Sequence, residues 1–425
     1  MTKILIILLI LITNLKAVVN RPNEFNFNIN VLEEEAYSEK LIFHTMQNSY
    51  LSILDSTLNP YWLVKVGEMG LDFKVNQNYL TYFQKDSSFW ILLNDQMVEF
   101  DTLRCVNGLQ ADYHDMVLLE DGGYILQSYH DIAMDMSQFF ENGHPSALVN
   151  ELVLQEFDVD HNLIFEWYAH NHLDISNYTN LNLFSSDFTW MHGNSIEIDY
   201  DNNLILSNRR SSEVIKVNRI TGDVIWILGG PANDFVFLND SYNGFSKQHD
   251  VRRLENGNLL IFDNGTEHNP QISRICEYYL DLDNMTADLI WEYVHPQEYI
   301  SLSMGSSQRL ENGNTLISWG NTLQPGTVVT EVNIEKEIVM EIQFSNQYKI
   351  YKARKADWDF SVNLVVGDIN LDNVVNIIDI LITLQLILNE NHIETVMELY
   401  KLDINLDGEV NVTDLILLVN FILNE

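Results

Sequence analysis

Three histidines open three similar stretches of this chain: His114 in YHDMVLLEDGGYILQS, His192 in MHGNSIEIDYDNNLILSN and His249 in HDVRRLENGNLLIFDN. Arg209 follows the second stretch in SNRR, with Arg210 beside it as the register alternative. A neutral imidazole can serve as a nucleophile or exchange a proton near neutral pH, and a guanidinium clamps an oxyanion. Three imidazoles can equally bind zinc or copper, and a single buried histidine is often only structural. Asp115 and Asp250, each directly after one of the histidines, are placed to orient an imidazole or cap a turn. His44, His130, His144, His161, His170, His172, His268, His295 and His392 fit no repeated position and read as surface or loop residues.

A second constellation lies near the other end. GDINLDNVVNIIDILITLQLIL and LDINLDGEVNVTDLILLVNFIL are near copies, 35 residues apart. The first holds Asp368, Asn370, Asp372, Asn376 and Asp379 at positions 1, 3, 5, 9 and 12 of a twelve-residue loop. The second repeats this with Asp403, Asn405, Asp407, Asn411 and Asp414. With the backbone carbonyls of Val374 and Glu409 at position 7, these are the oxygen ligands of an EF-hand-like calcium loop. Gly408 marks the sharp turn, and Asn373 stands there in the first copy because Asn tolerates the left-handed conformation. Asp rather than Glu at position 12 departs from the standard EF-hand. Ile380–Leu388 and Leu415–Leu423 read as apolar helices after each loop.

The histidines can meet only if the elements between them are regular. From about residue 37 to 344, two kinds of β-hairpin alternate, rich in Val, Ile, Tyr and Trp and broken at Asn-Gly, Gly-Asp or Asp-Asn. The first kind includes the three His-led stretches, LDFKVNQNYLTYFQ, SSQRLENGNTLISWG and a degraded copy at 36–46. The second carries Trp in several of its strands, as in LVLQEFDVDHNLIFEWY and EVIKVNRITGDVIWILGG. Two hairpins make a four-stranded sheet, so six pairs predict a mainly β fold, a six-bladed β-propeller followed by a small α-helical domain. A β-sandwich or β-helix is the alternative. YKIYKARK (348–355) is placed to close the ring, and residues 129–190 read as insertions over one face. In a propeller, equivalent blade positions line the central channel, which brings the three histidines to one spot.

On these motifs, and most specifically between residues 190 and 320, the chain resembles the arylsulfotransferase family. The resemblance implies a six-bladed propeller that moves a sulfuryl group from an aryl sulfate to a phenolic acceptor without a nucleotide. It implies His249 as the nucleophile that becomes sulfated, His114 and His192 as supporting histidines, and Arg209 on the sulfate. No close cysteine pair matches the local disulfide of some family members. The tail resembles a type I dockerin, which implies two calcium ions and a cohesin-bearing scaffold or surface protein as partner. Ile377-Ile378 and Val412-Thr413 occupy the specificity positions 10 and 11, and their difference speaks against a symmetric two-way binding mode.

Composition bounds the remaining readings. The 425 residues include 61 acidic and 23 basic side chains, a net charge of −38. Such a surface excludes nucleic acid and anionic membranes as natural partners and favours cations. Two cysteines cannot build a disulfide framework. A lysine followed by ILIILLILI (4–12) and ending near Ala17 reads as a secretory signal peptide, too short for a membrane span. The expected organisation is a signal peptide at 1–17, the propeller at 31–360 and the dockerin at 365–425. The mature protein is then secreted, extracellular or periplasmic, held at a surface through its dockerin and without a membrane span. Three functions stay open: a sulfotransferase-like enzyme needing no cofactor for catalysis, a non-catalytic propeller that binds a glycan or anion, and a metal enzyme using the three histidines.

Overall fold

In a computed structural model that describes residues 25–46, 49–66, 71–324, 326–345, 348–361, 364–388 and 395–424, the alternating apolar runs pair locally into six sheets of four or five strands. The segment read as a signal peptide lies outside the described residues, as does His392. Blade 1 contains Lys40–Thr45, Tyr50–Leu54 and Pro60–Lys65; blade 2 runs from Leu71–Asn76 to Glu99–Leu103. Blade 3 runs from Ala111–Leu118 to Leu163–Tyr168, and blade 4 from Gly193–Ile198 to Val224–Gly229. Blade 5 runs from His249–Arg253 to Thr286–Tyr293, and blade 6 from Ser306–Arg309 to Ile338–Phe344. The first strand of each of blades 2 to 6 is the inner one, and these strands neighbour one another around the hub.

The ring is laced at two places. The stretch 36–46 supplies only one strand, and its missing inner partner comes from the far end of the propeller. Ile350–Ala356 pairs antiparallel with Lys40–Thr45, matching Phe43 with Ala353. This is the closing strand expected from YKIYKARK. Phe27–Leu32, which begins upstream of residue 31, pairs outside Ile338–Phe344 in blade 6. Both pairings hide edges that would otherwise invite association.

Between blades lie the apolar cores. Leu154, Trp167, Tyr178, Trp190, Ile196 and Ile215 share the contact of blades 3 and 4. Much of the region expected to cover one face is therefore core. It is also blade: Tyr124–Met134 and Ala147–Phe157 form a hairpin of 11-residue strands, and Asp187–Thr189 adds parallel to the second. Several histidines read as surface residues are buried or paired instead, His170 with Glu151 at 2.8 Å among them. His44 is buried without a hydrogen-bond partner among the described residues and is pushed down to about 3 by burial. His295 meets Glu341 at 2.8 Å and His268 meets Asp263 at 2.8 Å.

The hub is ionic. Asp115 takes Arg252 at 2.8 Å, Lys352 at 3.4 Å and the Ile196 N–H at 3.1 Å, and also binds Lys74. Asp250 takes Arg252 at 2.9 Å and the Ser307 N–H at 3.0 Å, and also binds Arg354. The aspartates that follow His114 and His249 thus tie neighbouring blades together and do not hold the imidazoles. Both inner strands are bulged over these residues, and Asp250 has a left-handed backbone with φ of 54°, which re-aims the carboxylates into the hub.

Among the described residues the tail contains three helices, α1 (Ile377–Leu388), α2 (Val396–Leu402) and α3 (Val412–Asn424). α1 and α3 pack together over Val375, Ile404 and Leu418. α2, absent from the sequence reading, starts at a capping box of Thr395 and Glu398. It lies on the propeller: Tyr400 stacks on Trp62 at 5.8 Å, and the Val396 N–H donates to Glu99 at 3.1 Å. Leu406 enters the blade 1 core beside Phe25, Tyr50 and Leu63.

Candidate functional site

The inner strands deliver the site at the side of the hub where they begin. His249 is the first residue of its strand, and His192 immediately precedes Gly193–Ile198. His114 lies within Ala111–Leu118. The rings of His114 and His192 meet edge to face with centroids 4.5 Å apart. His249 is buried, and it lies close enough to Arg209, His192 and His114 for all three to act on its charge. Arg209 acts on both His249 and His192, and Arg210 acts on His192. The Arg209 backbone N–H donates to the His192 carbonyl at 2.9 Å, so the hairpin opened by His192 positions it. The structure brings all four residues together.

Burial, opposed by the Asn264 hydrogen bond and reinforced by Arg209, His192 and His114, holds His249 well below the usual imidazole range. His192 is pushed down to about 3 by burial, then by His114 and Arg209. Both are neutral at physiological pH, and His249 retains its capacity to attack. Arg209 uses Nη2 on the Leu302 carbonyl at 3.0 Å, while its buried Nε has no hydrogen-bond partner among the described residues. A buried donor left unmet is costly, and an anion or water satisfies it.

The imidazoles are oriented by residues that adjacency in sequence did not reveal. Asp112 Oδ1 accepts His114 Nδ1 at 2.6 Å, the His114 N–H at 3.0 Å and Gln127 Nε2 at 2.6 Å. Burial alone would raise the Asp112 carboxyl; the His114 charge and these bonds hold it below its usual value. Asn264 Oδ1 meets His249 Nδ1 at 2.6 Å. Asp112 was findable, because it stands two residues before His114 and shares its face. Behind His192, Asn208 Oδ1 accepts its N–H at 2.9 Å, and Glu213 accepts Ser211 Oγ at 2.9 Å. Burial pushes Glu213 up to about 7.

Two other features bear on chemistry. A cavity of about 1100 Å³ opens at the opposite ends of the inner strands, lined by Lys74, Glu197, Arg219, Arg252 and Arg354 among others; none of the four site residues reaches it. Among the described residues, no group of three or more His, Cys, Asp or Glu side chains is arranged to hold a metal.

The two tail loops have matching geometry. Asp368 accepts the Asn373 N–H at 2.9 Å, and Asp403 accepts the Gly408 N–H at 2.9 Å. Asp379 and Asp414 accept the N–H of Ile369 and Ile404, each at 2.8 Å. Asn373 and Gly408 are left-handed, with φ of 67° and 88°, as expected at the turn. Burial and the neighbouring Asp414 and Asp407 push Asp403 up to about 6, opposed by the Gly408 N–H. Each loop offers Asp and Asn oxygens and a backbone carbonyl, the hard donors that calcium takes, although no three carboxylates of either loop converge on one point in this structure.

The family model for arylsulfotransferase (ASST) matches residues 33–352, and the model for the dockerin type I domain matches residues 366–423. No curated protein gives a significant match. Solved structures overlap weakly. A protein of unknown function from Bacteroides caccae is 10% identical at a TM-score of 0.48, over 74% of this chain and 98% of that one. The Cps50 (Swd1) β-propeller domain of Myceliophteria thermophila is 11% identical at 0.41, over 74% and 89%. Virginiamycin B lyase from Staphylococcus aureus is 7% identical at 0.37, over 74% and 88%. At these scores the overlaps carry no argument. Type I dockerins generally bind calcium and cohesin partners, and no helix among the described residues is long and apolar enough to cross a membrane. With the family match extending over most of the six-bladed ring and the dockerin match over the tail, the chain belongs to the arylsulfotransferase family and carries a type I dockerin domain.

Proposed function

We propose that this protein is exported and moves a sulfuryl group from an aryl sulfate to a phenol through a sulfated His249. The observation that carries the reading is the convergence of three imidazoles with an arginine whose Nε has no partner. Arg209 and His192 hold the terminal sulfate oxygens. The Nε2 lone pair of His249 attacks sulfur, an N–S bond forms, and the S–O bond to the aryl group breaks. His114 protonates the departing phenolate, and Asp112 stabilises its imidazolium form. The acceptor phenol then returns its proton to His114 and attacks sulfur, which frees His249. All charge development falls on groups the protein already holds in place.

Calcium is held by Asp368, Asn370, Asp372, Asn376, Asp379 and the Val374 carbonyl in one loop. In the other it is held by Asp403, Asn405, Asp407, Asn411, Asp414 and the Glu409 carbonyl. The loaded tail attaches the enzyme to a cohesin-bearing scaffold. The test is turnover of a chromogenic aryl sulfate with a phenol acceptor in calcium buffer containing no transition metal. Double-displacement kinetics support the reading. No phenolate release with any donor, together with retained anion binding, would leave the propeller a binding module.

A further inference from the structure

Asn264 lies directly after the strand Leu259–Asp263, which pairs with the strand that His249 opens. It is fully buried. Its Nδ2 donates to the Ser301 carbonyl at 3.1 Å, Ser301 Oγ at 3.2 Å and the Met304 carbonyl at 3.0 Å. Carbonyl oxygens only accept, so the amide can face them only with its nitrogen. Its oxygen must then face His249 Nδ1, at 2.6 Å, and that ring nitrogen must carry the hydrogen. A second contact specifies the same state: the Met304 N–H donates to His249 Nε2 at 3.2 Å, which requires a lone pair there.

The Met304 peptide is itself held in an unusual place. Met304 and Gly305 both have left-handed backbone, with φ of 65° and 106°. A Cβ at Gly305 would lie 2.5 Å from the Phe262 ring, so glycine permits the close approach. One Asn264 amide therefore reaches both the imidazole and the carbonyl of the residue whose N–H faces it.

We propose that Asn264 is a positioning residue for the transfer: it holds His249 as the Nδ1–H tautomer with the Nε2 lone pair presented to sulfur, and it sets the Met304 N–H beside the same nitrogen. This rests on reading His249 as the sulfuryl carrier. As the N–S bond forms and the aryl S–O bond breaks, the Nε2 electron pair passes into the new bond and the Nδ1 proton stays. The Met304 N–H is released to a sulfuryl oxygen. The sulfated ring is then cationic, and a neutral amide partner leaves that charge uncompensated, which favours its departure when the acceptor attacks.

The test uses full-length, calcium-loaded protein labelled with nitrogen-15 histidine, with His249→Gln to assign the ring by difference. Long-range nitrogen–proton correlations distinguish the two neutral tautomers. The wild type gives a single Nδ1–H form, whereas Asn264→Ala gives a mixture. In parallel, kcat of Asn264→Ala falls by about 10- to 100-fold with KM for the donor changed less than about threefold. Asn264→Asp keeps an acceptor at Nδ1 and adds charge while giving up the donor to the Ser301 and Met304 carbonyls, so it preserves the tautomer and moves the acid limb of the rate profile upward. It serves if the alanine variant does not fold. An Nε2–H tautomer in the wild type would overturn the proposal, as would an unchanged tautomer in Asn264→Ala or a rate profile of Asn264→Asp that overlays the wild type. The tautomer measurement needs no turnover, so a protein inactive on every aryl sulfate would defeat the sulfotransferase reading without deciding this one.

Discussion

Replacing Asp112 by Asn isolates one charge in the site. Every side-chain bond described for Asp112 ends on Oδ1: His114 Nδ1 at 2.6 Å, the His114 N–H at 3.0 Å and Gln127 Nε2 at 2.6 Å. An asparagine can keep its oxygen there and place its nitrogen where Oδ2 stood, so the ring orientation and the tautomer survive. Only the charge opposite the imidazolium is lost. A hydrogen bond to a charged group contributes about 1.5–3 kcal/mol and a neutral one about 0.5–1.5, a difference near 1.5 kcal/mol or roughly tenfold. The loss should depend on the leaving group. A nitrophenolate departs without help, so its first step should change little, while a simple phenolate needs the His114 proton and should slow about tenfold. The assay is single-turnover release of a series of substituted phenols from wild type and Asp112→Asn. A slowing equal for all leaving groups would refute His114 as the acid that Asp112 supports.

Arg209→Met should lower kcat/KM roughly a hundredfold, as for loss of one oxyanion donor, read from initial rates with a chromogenic donor; near-normal rates would remove Arg209 from the sulfate. Glu213, raised from an ordinary 4.5 to about 7, favours the fold below pH 4.5, and that contribution is lost as pH rises through 7. Glu213→Gln should therefore gain stability relative to wild type by roughly 3 kcal/mol between those limits, measured by denaturant unfolding at several pH values, and a pH-independent difference would contradict it. Leu406 is 3% exposed and its counterpart Leu371 is 57% exposed. In calcium, Leu406→Ala should cost about 3 kcal/mol and Leu371→Ala under about 0.5, with equal effects speaking against docking of the second loop on blade 1. Calcium-dependent helix in the far-ultraviolet spectrum should vanish in the double variant Asp368→Ala, Asp403→Ala.

The parts of this architecture legible in sequence are those set by repetition. Hairpin turns recur, so His114, His192 and His249 could be aligned before any coordinates, and the loop spacing around Asp368 and Asp403 defines itself. What sequence hid was mostly set by direction. Asp115 and Asp250 looked like partners of the histidines because they are adjacent, yet the bulged inner strands turn them into the hub, where they brace blades against Lys74, Arg252, Lys352 and Arg354. The real partners come from two residues upstream, Asp112, and from the neighbouring strand's end, Asn264. No local pattern marks Asn264, because its role depends on loop 301–304 folding back onto it. The first inner strand is missing from its own place, yet its source was legible: residues 350–356 supply it from far along the chain, within the YKIYKARK stretch read as closing the ring. α2 is short enough for its periodicity to be weak, although Thr395 and Glu398 spelled out its cap.

The most direct measurement is intact-mass and peptide mapping of the full-length protein after rapid mixing with an aryl sulfate in the absence of acceptor. One sulfuryl group per chain, located on the peptide containing His249 and removed when a phenol is added, is the predicted result. Phenolate release with no modified peptide, or a sulfuryl group carried on another residue, would contradict the account.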